Sequence, residues 1–294
     1  MAHDIPHLHA HQSSIVREFF VDTADDNYIT ARWCFFEALN VDYFWLAVHA
    51  LEKYMKAALL MNGHSAKGYR DQAGNFRPYR HNIVALYEHV EPFASDLLPS
   101  KLTQPRDLQI AHWRDETPEA FIRRFHDNGN ADNRYQIFGF VQHAEDLFKL
   151  DTMVFALRRL CVRLDACYLG KHRLGTSNWT HRDILTQQPN RWAVIASCKL
   201  RKTLDGKRGE RLHDVFLRFN FPFAPKGFPH GRMPSRTSSQ NPVLWRSILE
   251  PLERAPDTAT AATPAALRDW VLDNIQLPNH IERQLRDAKP KPRP

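Results

Sequence analysis

Long apolar runs, paired cysteines and glycine-rich loops are what this sequence lacks. None of its 294 residues belongs to an apolar stretch long enough to cross a bilayer. The strongest candidate, residues 42–62, is interrupted by His49, Glu52, Lys53 and Lys56. The start, MAHDIPHLHAHQ, does not pass from a basic to an apolar segment as a signal peptide does. These absences lead to the expectation of a cytoplasmic protein with no membrane contact. Cys34, Cys161, Cys167 and Cys198 include no CxxC pair and are too few for a disulfide framework, so they read as small core residues. The sequence also has no GxxxxGK[ST] loop, GxGxxG turn, GxSxG elbow or HExxH helix. Phosphate-loop ATPases, dinucleotide-binding oxidoreductases, common esterases and zincins therefore have no support. No internal repeat is present.

What is there is an ordinary globular composition, 43% apolar and 25% charged, with a net charge of +7. That charge is compatible with nucleic acid, a nucleotide or plain solubility. His3, His7, His9 and His11 could hold a metal as a peptide, but no rigid scaffold surrounds them, so no resident metal and no cofactor is expected.

Hydrophobic spacing divides the chain into an irregular lead-in (1–20), a helical region (21–172), a C-terminal α+β extension (175–288) and a basic tail (289–294). In TADDNYITARWCFFEALN, Tyr28, Ala31, Phe35 and Leu39 recur at helical spacing, and Asp25 and Asp26 suit the positive end of the helix dipole. The next helix, DYFWLAVHALEKYMKAALLMNG, has Asp42 as its expected cap and Gly63 as its stop. Phe44, Val48, Leu51, Met55 and Ala58 form a core stripe, and His49, Glu52, Lys53 and Lys56 form a polar one. A loop over 64–80 leads to a helix from about His81 to Val90. Residues 99–133 are weakly periodic, and 134–168 read as one long helix or two joined near Asp151. Further on, RWAVIASCKL and HDVFLRFNF flank DGKRGE as strands would flank a hairpin turn. Short helices are expected near 243–253 and 264–275, separated by the linker-like APDTATAATPAA.

The helix at 42–63 and the chain beyond it resemble the HEPN family (higher eukaryote and prokaryote nucleotide-binding domain). That family shows an A-x-E-K-x-x-K-A helix, a His opening the next helix before an aliphatic run, and a later Arg-Tyr pair. Here Ala50, Glu52, Lys53, Lys56 and Ala57 match the first element. His81, Ile83, Val84 and Leu86 match the second, and Arg134 with Tyr135 the third. The resemblance covers roughly residues 24–168. It implies a mainly α chain, an antiparallel helical bundle that often pairs as a homodimer, in proteins of RNA metabolism, defence and nucleotide handling. The residues it marks for binding are Glu52, Lys53, Lys56, His81, Arg134 and Tyr135.

Many members of that family are metal-independent ribonucleases with an R-x(4–6)-H motif, in which Arg holds phosphate and His exchanges a proton. Two stretches fit formally, Arg106 to His112 and Arg208 to His213. The second is set aside because it lies outside the resemblance, beside the expected hairpin. The first is the candidate catalytic pair, although it precedes the Arg-Tyr element whereas the family motif belongs near the last helices. Lys53, Lys56, His81 and Arg134 could line an anion pocket, or the polar stripe could be internal pairing, Glu52 with Arg134 or His81 with a carboxylate. Arg158, Arg159 and Arg163 could extend a basic face. Three functions are open: a binding module for a nucleotide, nucleic acid or partner protein; a ribonuclease using Arg106 and His112; or a structural homodimer whose C-terminal extension carries the biology. The misplaced catalytic pair favours the first.

Overall fold

A computed structural model describes residues 8–108, 110, 112–130, 133, 139–168, 179–192, 198–230, 237–275 and 277–289. The described residues are mainly helical, with two small antiparallel sheets among them. The chain divides into two compact units, residues 1–130 with 143–237, and residues 131–142 with 238–294. The change of character near residue 175 therefore does not separate the units. Among the described residues no helix is long and apolar enough to cross a membrane.

In the first unit, α1 (Leu8–Val16) runs through a wide π-helical turn (Arg17–Val21) into α2 (Asp22–Phe36). The irregular lead-in expected over 1–20 is thus helical from Leu8. Its buried Val16 and the next buried residue, Val21, are five apart, a step that the wide turn accommodates and a 3.6-residue search passes over. Three residues connect α2 to α3 (Asn40–Met61). Asp25 meets Tyr54, Asn27 meets Lys53 and the Phe35 ring meets that of Tyr43, so the two helices run antiparallel. Leu39, not Asp42, occupies the cap of α3. Gly63 does end it, with φ +83 in the left-handed region that only glycine enters freely.

The loop after α3 holds a short hairpin, β1 (Gly68–Arg70) with β2 (Phe76–Pro78). Next comes α4 (Ile83–Ala94), capped by Asn82, whose side chain accepts from the Ala85 amide at 3.0 Å. The weakly periodic region hides a further helix, α5 (Pro118–Gly129). Thr117 caps it, and Phe121, Ile122 and Phe125 are buried. Gly129 ends α5 against α3, where a β-carbon would lie 2.5 Å from the Phe44 carbonyl oxygen.

Neither the single long helix nor the pair joined near Asp151 expected over 134–168 forms in the described residues, and 134–138 lie outside them. Residues 140–142 form β3 (Phe140–Gln142), and α6 (Asp146–Arg159) begins only where the Asp146 carboxylate accepts from the His143 amide at 2.7 Å. Leu51, Met55, Leu86, Leu147, Leu157 and Leu164 are all fully buried, as their spacing required.

Where it is described, the expected hairpin around DGKRGE is helical instead, and residues 193–197 of its first strand lie outside the described residues. After the capped α7 (His181–Gln187) come α8 (Lys199–Leu204) and α9 (Glu210–Leu217), with Gly206 and Gly209 at positive φ in the turn between them. Val215 and Phe216 favour strands intrinsically. Here Phe216 and Phe223 close over the buried Tyr28 ring of α2, and that packing overrides propensity.

The second unit pairs β3 with β4 (Ser238–Gln240), Phe140 opposite Gln240. A π-helical turn (Trp245–Leu249), α10 (Glu250–Arg254), α11 (Thr258–Asn274) and α12 (Asn279–Asp287) gather around Leu252, Val271, Ile281 and Leu285. The stretch expected to be a linker is the start of α11. The Asp257 carboxylate caps it at 2.8 Å from the Thr260 amide, and its alanines are strong helix formers.

Candidate functional site

The polar stripe of α3 turns out to be divided between two neighbours. His49, Glu52 and Lys56 are a turn apart on one face, and the turn that leads into α4 meets them there through Arg80 and His81. Lys56 Nζ lies 2.5 Å from Glu52 Oε1, and His81 Nδ1 3.1 Å from Glu52 Oε2. His49 Nδ1 is 3.6 Å from that same oxygen. Burial opposes ionisation of Glu52, yet the contacts from His49, Lys56 and His81 outweigh it and hold the carboxyl down at about 2. Lys56 also donates to the Arg80 carbonyl at 2.9 Å. Arg80 has φ +48, a left-handed conformation that costs a non-glycine residue about 1–2 kcal/mol. It is the residue that turns His81 onto Glu52.

Lys53 turns the other way, to Asn27 Oδ1 on α2 at 2.6 Å. Burial lowers its pKa below the ordinary lysine value, and Glu52 and Asp26 act against that lowering. The expected pocket therefore does not form from Lys53 and Lys56 side by side, because their ammonium groups hold partners on different helices. Arg134 and Tyr135 lie outside the described residues.

A basic surface that spacing did not point to forms beside Lys53. Asp26, half-exposed on α2, accepts from Lys199 Nζ on α8 and, at 2.8 Å, from Arg208 Nη2. Arg208 also reaches Thr203 Oγ1 at 3.3 Å, and His213 Nδ1 lies 3.1 Å from the Thr203 carbonyl oxygen. The Arg208–His213 pair set aside in the sequence thus converges on one residue of a helical turn. Arg201, Lys202, Lys207 and Arg211 are exposed nearby on the same helical pair. The Arg211 guanidinium lies 5.6 Å from the Trp33 ring centre. The available signal was local charge: residues 199–211 carry six basic and two acidic side chains, in a chain whose whole net charge is +7. Reading this run as a hairpin turn obscured it.

Other expected residues fall elsewhere. Arg106 and His112 are exposed on the loop before α5. Arg158 and Arg159 do not extend a basic face. Both are buried, Arg158 on Asp25 at 3.1 Å and Arg159 on the Leu185 carbonyl. Arg163 is exposed. A cleft of about 640 Å³ lies between α1, the end of α3 and residues 163–166, lined by His9, Gln12, His64, Arg163 and Asp165 among others. It holds none of the residues marked for binding.

No protein-family model matches the chain, and no similar curated protein or solved structure is found.

Proposed function

We propose that the chain is a binding module for single-stranded nucleic acid, built on a HEPN-like bundle, with its ligand lying along the surface where α8 meets α2. The supporting observation is the surplus of cations at Asp26. Lys199 and Arg208 share that one half-exposed carboxylate, Lys53 stands beside it, and four more basic side chains are exposed nearby. Such a surface attracts a phosphate backbone by releasing its counterions. Trp33, half-buried beside Arg211, adds an aromatic face of the kind on which bases stack. The HEPN-like reading draws on the meeting of its first two elements at contact distance, Glu52 and Lys56 with His81.

The experiment is fluorescence anisotropy with a labelled single-stranded RNA over a range of salt. Lys199→Ala with Arg208→Ala should weaken binding and flatten the slope of log affinity against log salt by about 1.4, or roughly 0.7 per lost phosphate contact on a single strand. Equal affinity in that variant, or wild-type binding indifferent to salt, would remove the reading.

A ribonuclease is the second reading, favoured by the convergence of Arg208 and His213 on Thr203. Incubation with RNA beside His213→Ala and His112→Ala variants separates the two. We expect binding without cleavage. The resemblance also carries self-association through the aromatic residues around 33–45. Light scattering should then return twice the chain mass of 34.3 kDa, and a monomer at tens of micromolar protein would end that part.

A further inference from the structure

We propose that His49, Glu52 and His81 form a binding site for a divalent transition metal of the zinc type, with its fourth position open to solvent. His49 and Glu52 leave the same face of α3 one turn apart, and Arg80, in its left-handed conformation, delivers His81 to them. The result is a nitrogen–oxygen–nitrogen donor set centred on one oxygen. His81 Nδ1 lies 3.1 Å and His49 Nδ1 3.6 Å from Glu52 Oε2, and all three donor atoms are within 4.8 Å of one another.

A tetrahedral ion with bonds of about 2.0–2.1 Å needs ligand atoms roughly 3.3 Å apart. The two measured edges fall on either side of that figure. His81 is within hydrogen-bond reach of the carboxylate and His49, at 3.6 Å, within ion-pair reach, so both ring nitrogens face the same oxygen.

The groups around the set would hold it in place. Lys56 occupies the other carboxylate oxygen at 2.5 Å and is itself tied to the Arg80 carbonyl. The His49 ring packs edge-on against Trp45, with centroids 4.2 Å apart. Outer partners of this kind fix the orientation of metal ligands. Lys56 also places a positive charge near the ion, which lowers affinity without blocking the site. Two imidazoles and one carboxylate favour zinc, cobalt, nickel or copper over magnesium and calcium. His81 is 74% exposed, leaving an approach from solvent to the fourth position. This site is separate from the Asp26 surface and does not depend on RNA binding there.

The N-terminal histidines could hold a metal as a peptide, so the reference protein is the full chain with His3, His7, His9 and His11 changed to Ala, purified without a polyhistidine tag. Titration with Co²⁺ followed by visible absorption reads both stoichiometry and coordination geometry, and competition with Zn²⁺ reads affinity. We expect one Co²⁺ per chain with the intense bands of tetrahedral coordination, displaced by Zn²⁺. His81→Ala and His49→Ala should each weaken binding by more than about 100-fold, beyond what loss of an outer partner costs. His81 lies outside the core, so its variant keeps the fold, which far-UV circular dichroism checks. A reference protein without tetrahedral bands overturns the proposal. So does equal affinity in the His81→Ala variant, which would mean an adventitious ion only.

Discussion

Asp25 and Asp26 are neighbours on α2, and the packing boundary of the bundle runs between them. Asp25 is fully buried. Its carboxylate accepts from Tyr54 at 2.7 Å, from Arg158 at 3.1 Å and from the Leu200 amide at 3.2 Å. Nearby, Arg32 and Asp151 pair with no exposure, Tyr28 donates to Asp151 at 2.6 Å, and Asn220 donates to Tyr28 at 3.0 Å. Asp26 instead faces outward, with two cations on its single charge. In the inner network each charge is matched by a partner, as a water-free interior requires. The outer cluster has charge left over, which water tolerates and an anion can use. Helix-dipole stabilisation explains neither residue, since the chain is already helical from Leu8.

The sharpest way to break this contrast is to truncate each side in turn. Asp25→Ala leaves Arg158 charged, buried and without its carboxylate, and should cost about 3–5 kcal/mol in urea unfolding. A cost near that of a surface residue would mean that water reaches the network. Glu52 is intermediate, nearly buried and joined to the largely covered His49 and Lys56 and to the exposed His81. Its folded pKa, about 2, lies below the unfolded value of about 4.3. Its contribution is therefore complete above that unfolded value and is lost as pH falls towards 2. Glu52→Gln should remove roughly 2 kcal/mol at pH 7 and flatten the acid limb of the stability–pH curve. An unchanged acid limb would detach Glu52 from acid unfolding.

Asp26→Ala should change stability by less than about 1 kcal/mol, as exposed pairs do. By freeing Lys199 and Arg208 it should tighten RNA binding several-fold. Weaker binding would show that Asp26 positions the cations rather than competing for them. His112→Ala, on its exposed loop, should alter neither stability nor binding. Loss of an activity in that variant would return Arg106 and His112 to the centre of the function.

Sequence by itself determined the helical character of residues 22–36 and 42–61, the buried stripe through Leu51 and Met55 and the stop at Gly63. Each depends on side chains a few residues apart or on a motif read as a unit, so local spacing carries it. Tertiary structure alone decided the rest. It drew the start of the β-prone HDVFLRFNF run into a helix, because Phe216 packs against Tyr28. It buried Arg158, 133 residues from its partner Asp25, whereas spacing had placed that arginine on a basic face. It also gathered Lys199 and Arg208 at Asp26 and set His49 and His81 about one carboxylate oxygen. A side chain's neighbours across the chain determine whether its charge is neutralised or left available, and no local pattern encodes them.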